Sequence, residues 1–98
     1  MRVARRYLIS GRVQGVGFRF FVQDAAVREQ LSGWVRNLPG GHVETLAEGD
    51  VEALERFERQ LRQGPRPSRV DRVDRVDVQA DGRTEAGDLS RGAGFHIR

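Results

Sequence analysis

The stretch WVRNLPGGHVETLAE, Trp34 to Glu48, constrains the fold of this chain more than any other. WVRNL at 34–38 and HVETLAE at 42–48 read as two strands, and PGG at 39–41 supplies turn chemistry between them. Proline presets one dihedral there and glycine permits a positive φ, so an antiparallel hairpin is expected. The period changes on both sides. From Phe18 to Leu31, the residues Phe18, Val22, Ala25, Ala26 and Leu31 line one helical face, with Arg28 and Glu29 away from it. Ser32-Gly33 is expected to stop this helix, with Gly33 as its left-handed cap. Beyond the hairpin, Asp50 is placed to cap a second helix running through Gln63, with Glu52 and Glu55 near its positive end. Val51, Leu54, Phe57 and Leu61 form its core-facing stripe.

Two further strands bracket this unit. In residues 3–13, VARRYLISGRV, Val3, Tyr7 and Ile9 share a parity. Residues 69–78 repeat Arg-Val-Asp three times, a period that suits neither helix nor strand; the alternation of Val76 and Val78 places the productive register in the later half. The polar, glycine-rich residues 80–94 are expected to form a mobile loop, and FHIR at 95–98 a short closing strand with Phe95 and Ile97 inward. The order β-α-β-β-α-β predicts a single α+β domain over 1–98. It is a ferredoxin-like α/β sandwich, a mainly antiparallel sheet with two helices on one face.

Composition narrows the function. Among 98 residues there is no cysteine, which removes thiol catalysis and thiolate metal sites and fits a reducing compartment. All 17 basic residues are arginine, so lysine Schiff bases and a P-loop lysine are excluded. The formal charge is only +3, with acids spread among the arginines, a balance that favours small anions over a long polyanion. No apolar run approaches the roughly 20 residues of a membrane span, and residues 1–30 lack a signal-peptide pattern. The expectation is a cytoplasmic monomer with no nucleic-acid or membrane partner.

The chemistry concentrates in GRVQGVGFRF, Gly11 to Phe20. Gln14, Gly15, Val16, Gly17, Phe18 and Arg19 lie between the end of a strand and the start of a helix. Backbone N–H groups there lack internal partners, and the helix dipole favours an anion. Glycine-permitted turns form concave nests of amides, and Arg19 in the first helical turn can reach over such a nest with a fork of donors. A plain strand–helix turn carrying a surface arginine has the same spacing. A P-loop signature fails, because Val16 stands where glycine is required and lysine is absent. An RNA-binding signature also fails, since Val16 replaces a stacking aromatic and the motif precedes a helix.

GRVQGVGFRFF together with GWVRNLPGGHVE closely resembles acylphosphatase, and the resemblance extends through AEGDVEALERFERQLRQGP to the FHIR end. It implies an α/β sandwich that hydrolyses the mixed anhydride of a carboxylic acid and phosphate. In that family a V-Q-G-V-x-F-R loop binds the phosphate, which corresponds here to Val13 through Arg19. The essential arginine corresponds to Arg19. The essential asparagine, which orients the attacking water, corresponds to Asn37. The resemblance implies neither a metal nor a cofactor. Because it runs almost from end to end, a free-standing enzyme is expected; the alternative is a non-catalytic module binding phosphate or carbamoyl phosphate.

Other chemical residues read more simply. His42 and His96 have no adjacent nucleophile or carboxylate partner and are expected at surface or edge positions. Asp71, Asp74 and Asp77 each adjoin an arginine and are expected to form a solvated ion-pair ladder rather than a metal site. Trp34 and Phe57 are expected in the core. Strand alternation points Arg36 away from Asn37, and Arg12 is a candidate for extra field at the pocket.

Overall fold

The structure is a computed structural model and describes residues 2–78 and 94–98. Its elements run β1 (Arg2–Arg12), α1 (Phe18–Arg28), β2 (Ser32–Asn37), β3 (Val43–Asp50), α2 (Val51–Gln63), β4 (Arg69–Val78) and β5 (Phe95–Ile97). The strands form one sheet in the order β4-β1-β3-β2-β5. Neighbours are antiparallel except β5, which runs parallel to β2. This is the expected ferredoxin-like α+β architecture, with β5 added at the β2 edge. The expected hairpin is present as β2–β3: Asn37 lies opposite Val43, and the Leu38 N–H donates to the His42 carbonyl at 2.8 Å.

Both helices cover one face of the sheet. Tyr7, Ile9, Val35, Val43, Ala47 and Val73 meet Phe18, Val22 and Ala25 of α1 and Leu54, Phe57 and Leu61 of α2 in a single apolar cluster. Phe57 packs edge-on against Tyr7 and Phe95, at 5.8 and 6.3 Å between ring centroids. Burial pushes the Tyr7 phenol up to about 12, partly opposed by the Arg5 guanidinium beside it. The other face carries a smaller cluster of Ala4, Trp34 and Leu46. Trp34 is therefore buried as expected, but on the face away from the helices, with the guanidinium groups of Arg36 and Arg98 over its ring at 4.9 and 4.5 Å. Arg36 also pairs with Glu44 at 2.7 Å on that face, so it points away from Asn37.

Three local expectations are corrected. The first helix ends at Arg28, not Leu31. Gln30, with φ 59°, takes the left-handed position, while the Leu31 N–H reaches back to the Ala26 carbonyl at 2.9 Å and the Gln30 N–H to that of Val27 at 3.0 Å. These bonds satisfy the last carbonyls without glycine, and Leu31 is buried beneath the turn. Gly33 is instead inside β2, at φ 152°, where a Cβ would overlap the Leu46 carbonyl oxygen. Asp50 does occupy the N-cap of α2, at φ −64° and ψ 143°, but its side chain makes no capping hydrogen bond.

The third correction concerns β4. Its core-facing residues are Val73 and, at the margin, Val70, whereas Val76 is 58% exposed. The pairing with β1 slips between Ser10 and Gly11, so that Gly11 faces Val70 while Ser10 faces Arg72. This bulge absorbs one residue, and two valines three positions apart thereby share a face. Gly11 permits the close approach, because a Cβ there would overlap the Arg69 carbonyl oxygen. The expected ion pairs form: Arg69–Asp71 at 3.0 Å, Arg72–Asp74 at 2.8 Å and Asp77 with Arg5 at 3.3 Å. The stretch expected as a mobile loop lies outside the described residues, apart from Gly94. No helix among the described residues is long and apolar enough to cross a membrane.

Candidate active site

The segment joining β1 to α1 is fixed at both ends and bare in the middle. Val13 and Phe18 are anchored in the core, at 1% and 2% exposure. Between them Gly15 and Gly17 take left-handed conformations, φ 74° and φ 77°, which an L side chain adopts only at a cost. Apart from each glycine and its two chain neighbours, no atom of the described residues lies within 4 Å of a Cβ built on it, so its bare side faces open space. Gly17 is the N-cap of α1, and the helix's first backbone bond runs from the Phe21 N–H to the Gly17 carbonyl at 3.1 Å. The amides of Phe18, Arg19 and Phe20 precede that bond and point out of the helix end. The first turn holds no acidic side chain to compensate the positive end of the helix.

A cavity of about 110 Å³ opens at this end of the helix. Val13, Gly15, Gly17, Phe18, Arg19, Phe20 and Asn37 line it. Arg19 is half-buried, and its Nη1 donates to the main-chain oxygen of Arg98 at 3.3 Å. Asn37 ends β2 on the helix-covered face, the same parity as Val35. Its Oδ1 is buried with no hydrogen-bond partner among the described residues, and an unpaired buried acceptor is costly. The cavity is thus lined by the bare glycine loop, by Arg19 and by Asn37. Amides and a guanidinium suit a tetrahedral anion, and an asparagine amide is able to hydrogen-bond a water.

Of the residues singled out in the sequence, the fold gathers Arg19, Asn37, Gly15, Gly17 and Phe18 around one cavity. Gln14 and Val16 are not among its lining residues. Gln14 instead turns toward the hairpin, where its Nε2 donates to the carbonyls of Leu38 and His42, both at 2.8 Å. Arg12, the last residue of β1, is exposed and does not line the cavity. His96 is exposed on β5. The contributions of Gln14 and Arg98 went unseen because they join residues 24, 28 and 79 positions apart.

The fold has known counterparts. The crystal structure of acylphosphatase from Bacillus subtilis superposes with a TM-score of 0.84 at 38% identity, covering 98% of both chains. That of Coxiella burnetii gives 0.85 at 30% identity, covering 99% of this chain and 93% of the other. Full-length HypF, solved in a phosphate- and nucleotide-bound form, contains a similar region at 30% identity and a TM-score of 0.84, spanning 12% of that protein. Among curated sequences, acylphosphatase of Koribacter versatilis is 56% identical over 62 residues, which is 63% of this chain and 56% of the relative. Acylphosphatase of Thermus thermophilus is 58% identical over 59 residues, or 60% of this chain and 67% of the relative. The acylphosphatase family model matches residues 5–97, from β1 to the end of β5, and the chain belongs to that family.

Proposed function

We propose that the chain is an acylphosphatase in activity as well as in family, hydrolysing acyl phosphates to a carboxylate and inorganic phosphate. The observation that carries this reading is the shared cavity of Arg19 and Asn37, with the Asn37 Oδ1 buried and unsatisfied beside the bare glycine loop. The phosphoryl oxygens would accept from the amides around Gly15 to Arg19 and from the Arg19 guanidinium. A water would donate one hydrogen to the Asn37 Oδ1 and turn a lone pair toward phosphorus. Its attack forms a new P–O bond as the bond to the carboxylate oxygen breaks, so the carboxylate leaves with the bonding pair. The phosphate oxygens accept the water's proton.

The chemistry asks for little more. A carboxylate is a stable leaving anion and needs no strong general acid. The remaining tasks are to hold the phosphoryl group, place the water in line and offset spread equatorial charge, which are positioning and electrostatic tasks. A neutral asparagine suits the water site, because a carboxylate there would repel the incoming anion.

Two variants separate the roles. Arg19→Gln is expected to lower kcat for acetyl phosphate by about 10²–10³-fold and to weaken competitive inhibition by inorganic phosphate. Asn37→Ala is expected to lower kcat similarly while leaving phosphate inhibition within about threefold of the wild type. Near-wild-type turnover by either variant would refute the assignment. The likeness to a region of HypF supports a second reading, a module that binds a small phosphorylated anion without turnover. Phosphate binding with acetyl phosphate left intact would favour it.

A further inference from the structure

The two halves of the cavity come from strands that are not neighbours. The glycine loop follows β1 and Asn37 ends β2, and β3 lies between those strands in the sheet. Two left-handed glycines leave the loop without side chains to hold it against the hairpin. One side chain bridges the gap. Gln14, immediately before Gly15, uses both N–H bonds of its Nε2, one to the carbonyl of Leu38 and one to that of His42, each at 2.8 Å. Those carbonyls are the two sides of the hairpin mouth: the Leu38 N–H donates to the same His42 oxygen, and the Gly41 N–H to the same Leu38 oxygen. Leu38 is covalently next to Asn37.

We infer that Gln14 is a positioning residue, a clamp that sets the distance between the phosphate loop and the water-holding Asn37. The inference rests on the proposed hydrolysis. The neutral amide supplies both donors. Two carbonyl oxygens take two N–H donors, which the amide nitrogen provides and an ionised carboxylate does not. The partners are main-chain atoms, so the clamp reads hairpin geometry and not the identity of Leu38 or His42. In-line attack tolerates little error, and a displacement of about 1 Å between reacting groups can cost on the order of 10²-fold. Gln14 does not line the cavity, so its effect reaches the reaction through Asn37.

A double-mutant cycle on the full chain tests this, with acetyl phosphate as substrate and inorganic phosphate as inhibitor. Gln14→Ala is expected to lower kcat by about 10–100-fold with the phosphate inhibition constant within about threefold of the wild type. In an Asn37→Ala background the same change is expected to cost less than about threefold, because the group it positions is gone. Gln14→Glu keeps the shape should the alanine variant fold poorly. Its kcat is expected to recover in part as pH falls, since the protonated carboxyl regains one donor. Full additivity in the double variant would overturn the clamp, as would a phosphate inhibition constant that moves as far as kcat, or an unchanged kcat in Gln14→Ala. Absence of turnover by the wild type would strike the proposed function itself, whereas wild-type turnover with additive variants strikes only the clamp.

Discussion

At Gly33 and Gly17 the same residue type does opposite work. Gly33 faces the backbone of β3 so closely that a Cβ would overlap the Leu46 carbonyl oxygen. Gly17 has a positive φ of 77° but open space where a side chain would go. Gly33→Ala is therefore expected to destabilise the protein by about 3 kcal/mol, from strain and overpacking together. Gly17→Ala is expected to cost only about 1 kcal/mol, the left-handed backbone penalty alone. Urea unfolding followed by the fluorescence of Trp34, the single tryptophan, measures both. Equal costs would mean that the two glycines are not distinguished by what their missing side chains would meet. The difference matters for function: the space beside Gly17 belongs to the cavity, and that beside Gly33 is already filled.

Among the elements, β4 shows how far a periodicity can be read. Three copies of Arg-Val-Asp offer three candidate registers, and the sequence alternation favoured the last. The bulge opposite Ser10 and Gly11 decides otherwise and turns Val70 and Val73 to the same face. Val73→Ala is expected to cost about 2 kcal/mol and Val76→Ala less than about 0.5 kcal/mol, as midpoint shifts in the same unfolding experiment. A reversed order would reinstate the sequence-based register. The helices and hairpin were legible because each carries its own local signal, an apolar stripe or a Pro-Gly-Gly turn. The end of α1 was not. Its left-handed position is held by Gln30, a residue with no turn signature, and it works because the Leu31 and Gln30 amides bond backward and Leu31 is buried. Arg19 and Asn37 were visible through their motifs, but their convergence depends on strand order, which local pattern does not encode.

Across the whole molecule, the sheet order brings three separated segments to one end. The glycine loop, the β2 terminus and Arg98 after β5 meet there, tied by the Gln14 amide and the Arg19 guanidinium. In the proposed reaction the loop and α1 would hold the anion, and Asn37 at the end of β2 would hold the water. In-line hydrolysis at phosphorus, with the phosphoryl group held on one side and the water delivered from the other, is the reaction this division supports. The most direct test is hydrolysis of acetyl phosphate in ¹⁸O-labelled water, with the label followed by mass spectrometry. Attack at phosphorus predicts one labelled oxygen in the inorganic phosphate and none in the acetate; label in the acetate, or no turnover at all, would contradict the account.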